Sequence, residues 1–267
     1  DPYEPFDVSP YVHALFEYFL RNPICQDMGR KIKPAFSSSE QDKAFTYFHD
    51  LGYIPRVKVL NYKEQRGFKV VIGGGLGAQA IAAQTVYEFL PEDQLIPFSE
   101  AVIRVFDRYG EREKRHKARL KFLIKELGLE QFMELLERER KALPYKSLEI
   151  DRTLVPKAEI ADVSELSLIQ PNNYKAYAKW IKSNVVQQKQ YGYYAVQLKI
   201  TLGDLDSNRA RALARIIPQF AADDIRLSVN QGMLLRFVAP EALAHLYNAL
   251  DEIGLAKPGF DSLGDIK

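Results

Sequence analysis

The chain has 267 residues, 46% apolar and 27% charged, with a formal net charge of +2. That length holds one large or two ordinary domains, and the mixture supports a buried core and excludes wholesale disorder. The near-zero net charge gives no whole-chain argument for a nucleic-acid or membrane partner, and one cysteine, Cys25, excludes both a disulfide framework and a cluster held by several thiolates of this chain.

In chain order, the first predicted helix starts at Ser9, a capping residue, with Pro10 at the first helical position. Val12, Leu15, Phe16 and Phe19 follow at helical spacing, and Asn22-Pro23 ends it. Arg30 to Ser37 reads as a short strand with Pro34 marking an irregularity. Residues 57–60 and 68–72 read as two strands separated by a polar loop, and a cluster of Gly73, Gly74, Gly75 and Gly77 follows. Phe98 to Tyr109 is an amphipathic helix, with Ala101, Val102, Val105 and Phe106 on one face. Lys114 to Leu127 is predicted as a basic helix with the stripe Leu120, Leu123, Ile124 and Leu127, stopped by Gly128. Another helix covers Glu130 to Leu143. Residues 146–190, with Pro156, Pro171 and Asn172-Asn173, read as a connecting segment.

A second unit is predicted over residues 191–258. Ala195 to Thr201 alternates as a strand, Asn208 to Phe220 is a helix, and Ile225 to Val229 and Met233 to Val238 are strands around a turn of Asn230, Gln231 and Gly232. A helix from Pro240 to Ile253 completes a β-α-β-β-α order, half of a ferredoxin-like pattern. The expected fold class is α+β: a mixed sheet with helices over residues 1–145, then this small half-domain, with 259–267 as the start of a linker.

Three constellations carry chemistry. In a strand, Lys31 and Lys33 would project side by side with Ile32 on the opposite face, and two neighbouring ammonium groups repel unless an anion lies between them. Solvated lysines guarding a sheet edge are the plainer reading. Next, Gly73, Gly75 and Ala78 satisfy the G-x-G-x-x-A dinucleotide fingerprint, which opens a rival reading as an NAD(P)- or FAD-binding domain. The acidic partner of that fingerprint should end a second strand, whereas Glu88 and Glu92 lie in Y-E-F-L-P-E-D, which reads as the run into a turn. Finally, Arg112, Arg115 and Arg119 fall at i, i+3 and i+7, with Lys117 and Lys121 on an adjoining strip. This is a helical face suited to carboxylates, or equally a solvated face of an anion-binding module without catalytic function. No interleaved aromatics support base stacking, so nucleic acid is not expected. The four histidines lack paired ligand spacing, so no zinc site is expected.

Taken together, R-K-I-K at 30–33, V-I-G-G-G-L-G at 71–77, G-E-R-E-K-R-H-K-A-R-L-K at 110–121 and I-R-L-S-V-N-Q-G at 225–232 resemble, in the same order, the siroheme-dependent nitrite/sulfite reductases. The resemblance runs from about residue 20 to 260. It implies a cytoplasmic oxidoreductase that reduces nitrite to ammonia or sulfite to sulfide with six electrons from ferredoxin or a reductase, using siroheme and a [4Fe–4S] cluster. It implies that Lys31 and Lys33 face the substrate anion. It further implies that Arg30, Arg115, Lys117, Arg119 and Lys121 serve the siroheme carboxylates, that Gly74 and Gly75 let backbone approach the macrocycle, and that Asn230 and Gln231 close over it. The cysteines that the family uses for its cluster are absent here, as is its first half-domain. The chain is therefore expected to be an internal piece, inactive alone.

Overall fold

The computed structural model describes residues 1–154, 157–263 and 265. Pro156, in the expected connecting segment, and residues 264, 266 and 267 of the expected linker lie outside the described residues. The chain divides into two compact units between residues 154 and 157.

The first unit is built on a four-stranded sheet in the order β1 (Pro34–Phe36), β2 (Leu51–Leu60), β3 (Lys63–Ile72), β4 (Gln84–Pro91). β1 pairs parallel to β2 from Pro34 opposite Leu51, and the other pairings are antiparallel. The loop expected between the second and third strands is only two residues, Asn61 and Tyr62, both at positive φ. Paired positive φ angles twist a hairpin the way its strands twist, so the strands run on to meet that turn. β4 departs from expectation: Tyr87 to Leu90, the start of the Y-E-F-L-P-E-D stretch that reads as the run into a turn, lies in a half-buried strand whose Leu90 is buried.

α2 (Leu95–Tyr109) is the central helix. Its Leu95, Phe98, Ala101, Val102 and Val105 are fully buried against Tyr53, Phe68 and Val70 of the sheet. The stripe read from the sequence is the face that packs. α1 (Ser9–Phe19), α3 (Leu120–Leu127) and α4 (Leu129–Ala142) add Tyr11, Ile124, Phe132 and Leu136 to the same core. Ser9 makes no side-chain cap; the capping position is Val8, and the Ser9 N–H is instead met by Asp7 Oδ1 at 2.9 Å.

The second unit has the antiparallel order β5 (Val185–Gln187), β6 (Tyr194–Leu198), β8 (Met233–Val238), β7 (Ile225–Leu227), covered by α6 (Ser207–Phe220) and α7 (Leu243–Glu252). The β-α-β-β-α order is present. The stretch read as connecting segment also contains α5 (Tyr174–Asn184), whose Trp180 is fully buried beside Tyr177 and Tyr247, and β5. α6 starts on Asp206, whose carboxylate accepts from the N–H groups of Asn208 and Arg209 at 3.0 Å.

Candidate functional site

The structure departs from the sequence expectation at two segments. Arg30 to Lys33 is not strand, because β2 begins at Leu51, opposite Pro34, and offers no partner further upstream. Lys31 and Lys33 are nevertheless exposed, and Ile32 packs against the first core. The basic segment is not one helix either. Lys114 (ψ 83°) lies outside the helical region, Arg119 is extended, a single 3-10 turn covers Arg115–Lys117, and α3 begins only at Leu120. Arg112, Arg115 and Arg119 therefore share no helical face. Between Glu111 and Lys117 no apolar side chain exists to anchor a helix to the core.

Both segments come together around one residue that sequence reasoning passed over, Asp50. Its side chain is 0% exposed. Oδ2 accepts from the Lys33 N–H at 3.0 Å and from Arg119 Nη2 at 2.8 Å. The Asp50 carbonyl accepts from the Gly73 N–H at 2.9 Å. A second tie lies upstream: a side chain at Gly29 would stand 2.9 Å from Arg112 Cγ, and Arg112 Nη2 donates to the Asp27 carbonyl at 3.0 Å. The R-K-I-K stretch, the glycine loop and the basic stretch thus adjoin in the first unit. No pattern in the sequence marks Asp50, a lone acid at the mouth of a strand.

The glycine loop is held from inside the chain. Gly74 donates to the His49 carbonyl at 3.0 Å, and a Cβ there would stand 2.3 Å from the Tyr47 carbonyl. A Cβ at Gly75 would meet Lys121 Cδ at 3.2 Å and the Arg119 guanidinium at 3.3 Å. The close approach at both positions is to the protein's own groups. Lys121 is 3% exposed, and its ammonium donates to the carbonyls of Gly75 (3.2 Å), Leu76 (3.2 Å) and Gln79 (2.6 Å). Burial, and after it the neighbouring Arg119 charge, lowers the Lys121 pKa, with Asp50 opposing. No helix follows the loop: Gly75 and Ile81 exchange backbone hydrogen bonds at 2.9 and 3.0 Å, and the chain continues into antiparallel β4. The dinucleotide reading requires a strand–glycine–helix unit, so this geometry overturns it.

Arg30 Nε is buried without a hydrogen-bond partner. Arg115 and Lys117 are exposed. Lys31 borders an apolar hollow of about 600 Å³ lined by Phe16, Phe19, Ile32, Phe36 and Ile103. Asn230 and Gln231 belong to the second unit, on the turn joining β7 to β8; Gln231 has φ +56°, and Asn230 Nδ2 donates to Asp261 Oδ1 at 2.9 Å.

Lys31 and Lys33, exposed and without an acidic partner among the described residues, together with the buried orphan N–H of Arg30, fit a ligand that carries several carboxylates. A four-thiolate cluster does not fit, since Cys25 is the only cysteine. Among the described residues no group of three or more His, Cys, Asp or Glu side chains is placed to hold a metal. Among them too, no helix is long and apolar enough to cross a membrane.

Residues 1–143 match the family described as the nitrite and sulphite reductase 4Fe-4S domain, and residues 186–253 match the nitrite/sulfite reductase ferredoxin-like half domain. The chain is 29% identical over 252 residues to sulfite reductase (ferredoxin) 1 of Mycolicibacterium paratuberculosis, covering 94% of this chain and 40% of that one. It is 27% identical over 248 residues to the chloroplastic ferredoxin–nitrite reductase of Zea mays, covering 91% and 40%. The solved NirA protein of Mycobacterium tuberculosis superposes with a TM-score of 0.69 at 26% identity, over 93% of this chain and 41% of that one. The chain thus spans about two fifths of the length of these relatives. By sequence match and by fold, the chain belongs to the nitrite and sulphite reductase family.

Proposed function

We propose that this chain supplies the anion-holding face of a siroheme-dependent reductase that converts nitrite to ammonia or sulfite to sulfide. The observation that carries the reading is the convergence of the R-K-I-K stretch, the glycine loop and the basic stretch on Asp50.

When bound, siroheme would supply the iron that takes the substrate anion and passes it electrons. The chain's own residues would do the rest. The Lys31 and Lys33 ammonium groups, exposed and unpaired, would hold the anion's oxygens and donate protons as those oxygens leave as water. Arg30, Arg115, Lys117 and Arg119 would meet the cofactor's carboxylates. Lys121 would act from behind, fixing the carbonyls of Gly75, Leu76 and Gln79 so that the glycine loop keeps its shape. The cluster would be held by cysteines outside this sequence, so the chain alone would not turn over substrate. The donor would be ferredoxin, which the names of the matched relatives carry, or a reductase. Neither nucleic acid nor a membrane enters this reading, and the compartment would be the cytoplasm.

The test is the intact enzyme that contains this chain, made with a siroheme supply. A Soret band, cluster iron and sulfide, and a fall in nitrite or sulfite turnover of about 100-fold or more in Lys31→Ala/Lys33→Ala are expected. A colourless enzyme, or wild-type turnover by this chain alone, would overturn the reading.

A further inference from the structure

We infer that Asp50 is a positioning residue for the anion site, acting through Lys33 and Arg119; the inference rests on the reductase reading. Three observations carry it. The first is connectivity. One side-chain oxygen of Asp50 accepts from the Lys33 main chain at 3.0 Å and the Arg119 guanidinium at 2.8 Å, and the Asp50 carbonyl takes the Gly73 N–H at 2.9 Å. Lys33 is also held on its other side, where its carbonyl accepts from the Leu51 N–H at 3.3 Å. Its exposed ammonium therefore leaves a backbone pinned at both polar groups, and Arg119 lies with its guanidinium 3.3 Å from the Cβ position of Gly75.

The second observation is cost. Asp50 is fully buried, and its Oδ1 has no hydrogen-bond partner. A buried carboxylate satisfied on one oxygen stabilises a fold less than an apolar side chain of similar size would. Stability alone does not account for it, whereas a lock between two cationic segments does.

The third is the sign of its charge. Asp50 is an acid next to Arg119 and Lys121, in a site read as one that holds anions. By Coulomb attraction alone, removing its charge would tighten an anion. A positioning role predicts the reverse, so the direction of the change separates the two.

The test uses the siroheme-loaded enzyme containing this chain, and this chain by itself. Asp50→Asn keeps the shape and removes the charge. We expect the KM for nitrite or sulfite to rise about ten-fold with siroheme absorbance unchanged, the size of one lost charge-assisted hydrogen bond. In the chain alone, amide exchange at Lys33 should quicken about ten-fold, with the amides of α6 unchanged. An unchanged or lowered KM alongside a freed Lys33 amide overturns the inference. Arg119→Gln breaks the same ion pair from its part-exposed end and guards against an Asn variant that fails to fold. KM must rise there too, and an unchanged KM overturns the inference. A wild-type enzyme without siroheme and without turnover of either anion overturns the reductase reading itself, and is told apart by its colour before any variant is made.

Discussion

Lys121 Nζ stands 2.6 Å from the Gln79 carbonyl oxygen, and the same ammonium spans back to Gly75 and Leu76. A side chain at the start of α3 thus closes the glycine loop from beneath. Lys121→Met keeps the length and apolar stem but leaves three carbonyls without their donor. It should lower unfolding free energy by about 2–3 kcal/mol in urea titrations. Lys125→Met, one turn on and exposed, should stay within about 0.5 kcal/mol.

Two glycines of the same loop should respond differently to a methyl group. At Gly74 the new carbon would stand 2.3 Å from the Tyr47 carbonyl and 2.7 Å from that of His49. Both are backbone and neither can swing away, so Gly74→Ala should cost about 3 kcal/mol or more. At Gly77 nothing lies within 4 Å, but φ is +111°. Gly77→Ala should cost only the backbone strain, about 1–2 kcal/mol. Chemical denaturation of both variants beside the wild type gives the comparison.

Alkaline pH should weaken the first unit through its tyrosines. Burial raises the pKa of Tyr11, Tyr18, Tyr53 and Tyr87 above 10.0, with hydrogen bonds to Glu92, Glu100 and Glu137 adding at Tyr11, Tyr18 and Tyr87; Tyr87 is pushed up to about 12. Above pH 10 the unfolded chain gives up these protons while the folded chain keeps them. The folded state then binds more protons, and stability falls as pH rises from 10 toward the folded values. The fully buried Tyr53 should contribute a slope approaching about 1.4 kcal/mol per pH unit there. Absorbance at tyrosinate wavelengths should show these groups ionising only as the unit unfolds, together with the loss of circular dichroism.

In the second unit, Asn184 is a buried hub. Its Nδ2 donates to the carbonyls of Gln197 (2.8 Å) and Lys257 (3.0 Å), and its Oδ1 accepts from the N–H of Gly259 at 3.1 Å. Asn184→Ala should cost about 3 kcal/mol, since it strands several buried polar groups. Trp180 lies one helical turn before it on α5, and its indole N–H is buried without an acceptor. Trp180→Phe removes that unmet donor as well as some packing area, so its cost should stay within about 1.5 kcal/mol. Thermal melts followed by circular dichroism distinguish the two.

The elements legible in the sequence were those with an apolar stripe and clear end signals. α2 shows why: Ala101, Val102, Val105 and Phe106 have the helical period, and all four are buried. In the basic stretch, charge spacing does not report helical spacing. Arg112, Arg115 and Arg119 have the right intervals, but a helix in a protein is held by its buried face, and that face starts only at Leu120. β4 was hidden by Glu88 and Pro91, which read as turn residues although Thr85, Tyr87 and Leu90 register against β3. α5 was hidden by the prolines and asparagines before it. Within the site, the cationic residues were visible as a composition. Asp50 was not, because its role depends on which distant segments the fold brings to it.

The chain has a single tryptophan, Trp180, fully buried in the second unit. Indole fluorescence is therefore an optical gauge of that unit alone. Its emission should be blue-shifted in the native state and move to the red when the half-domain melts, regardless of what the first unit does. Followed beside the far-ultraviolet signal, which sums over both units, it turns an ordinary melting experiment into a measurement of how independently the two halves of the chain hold together.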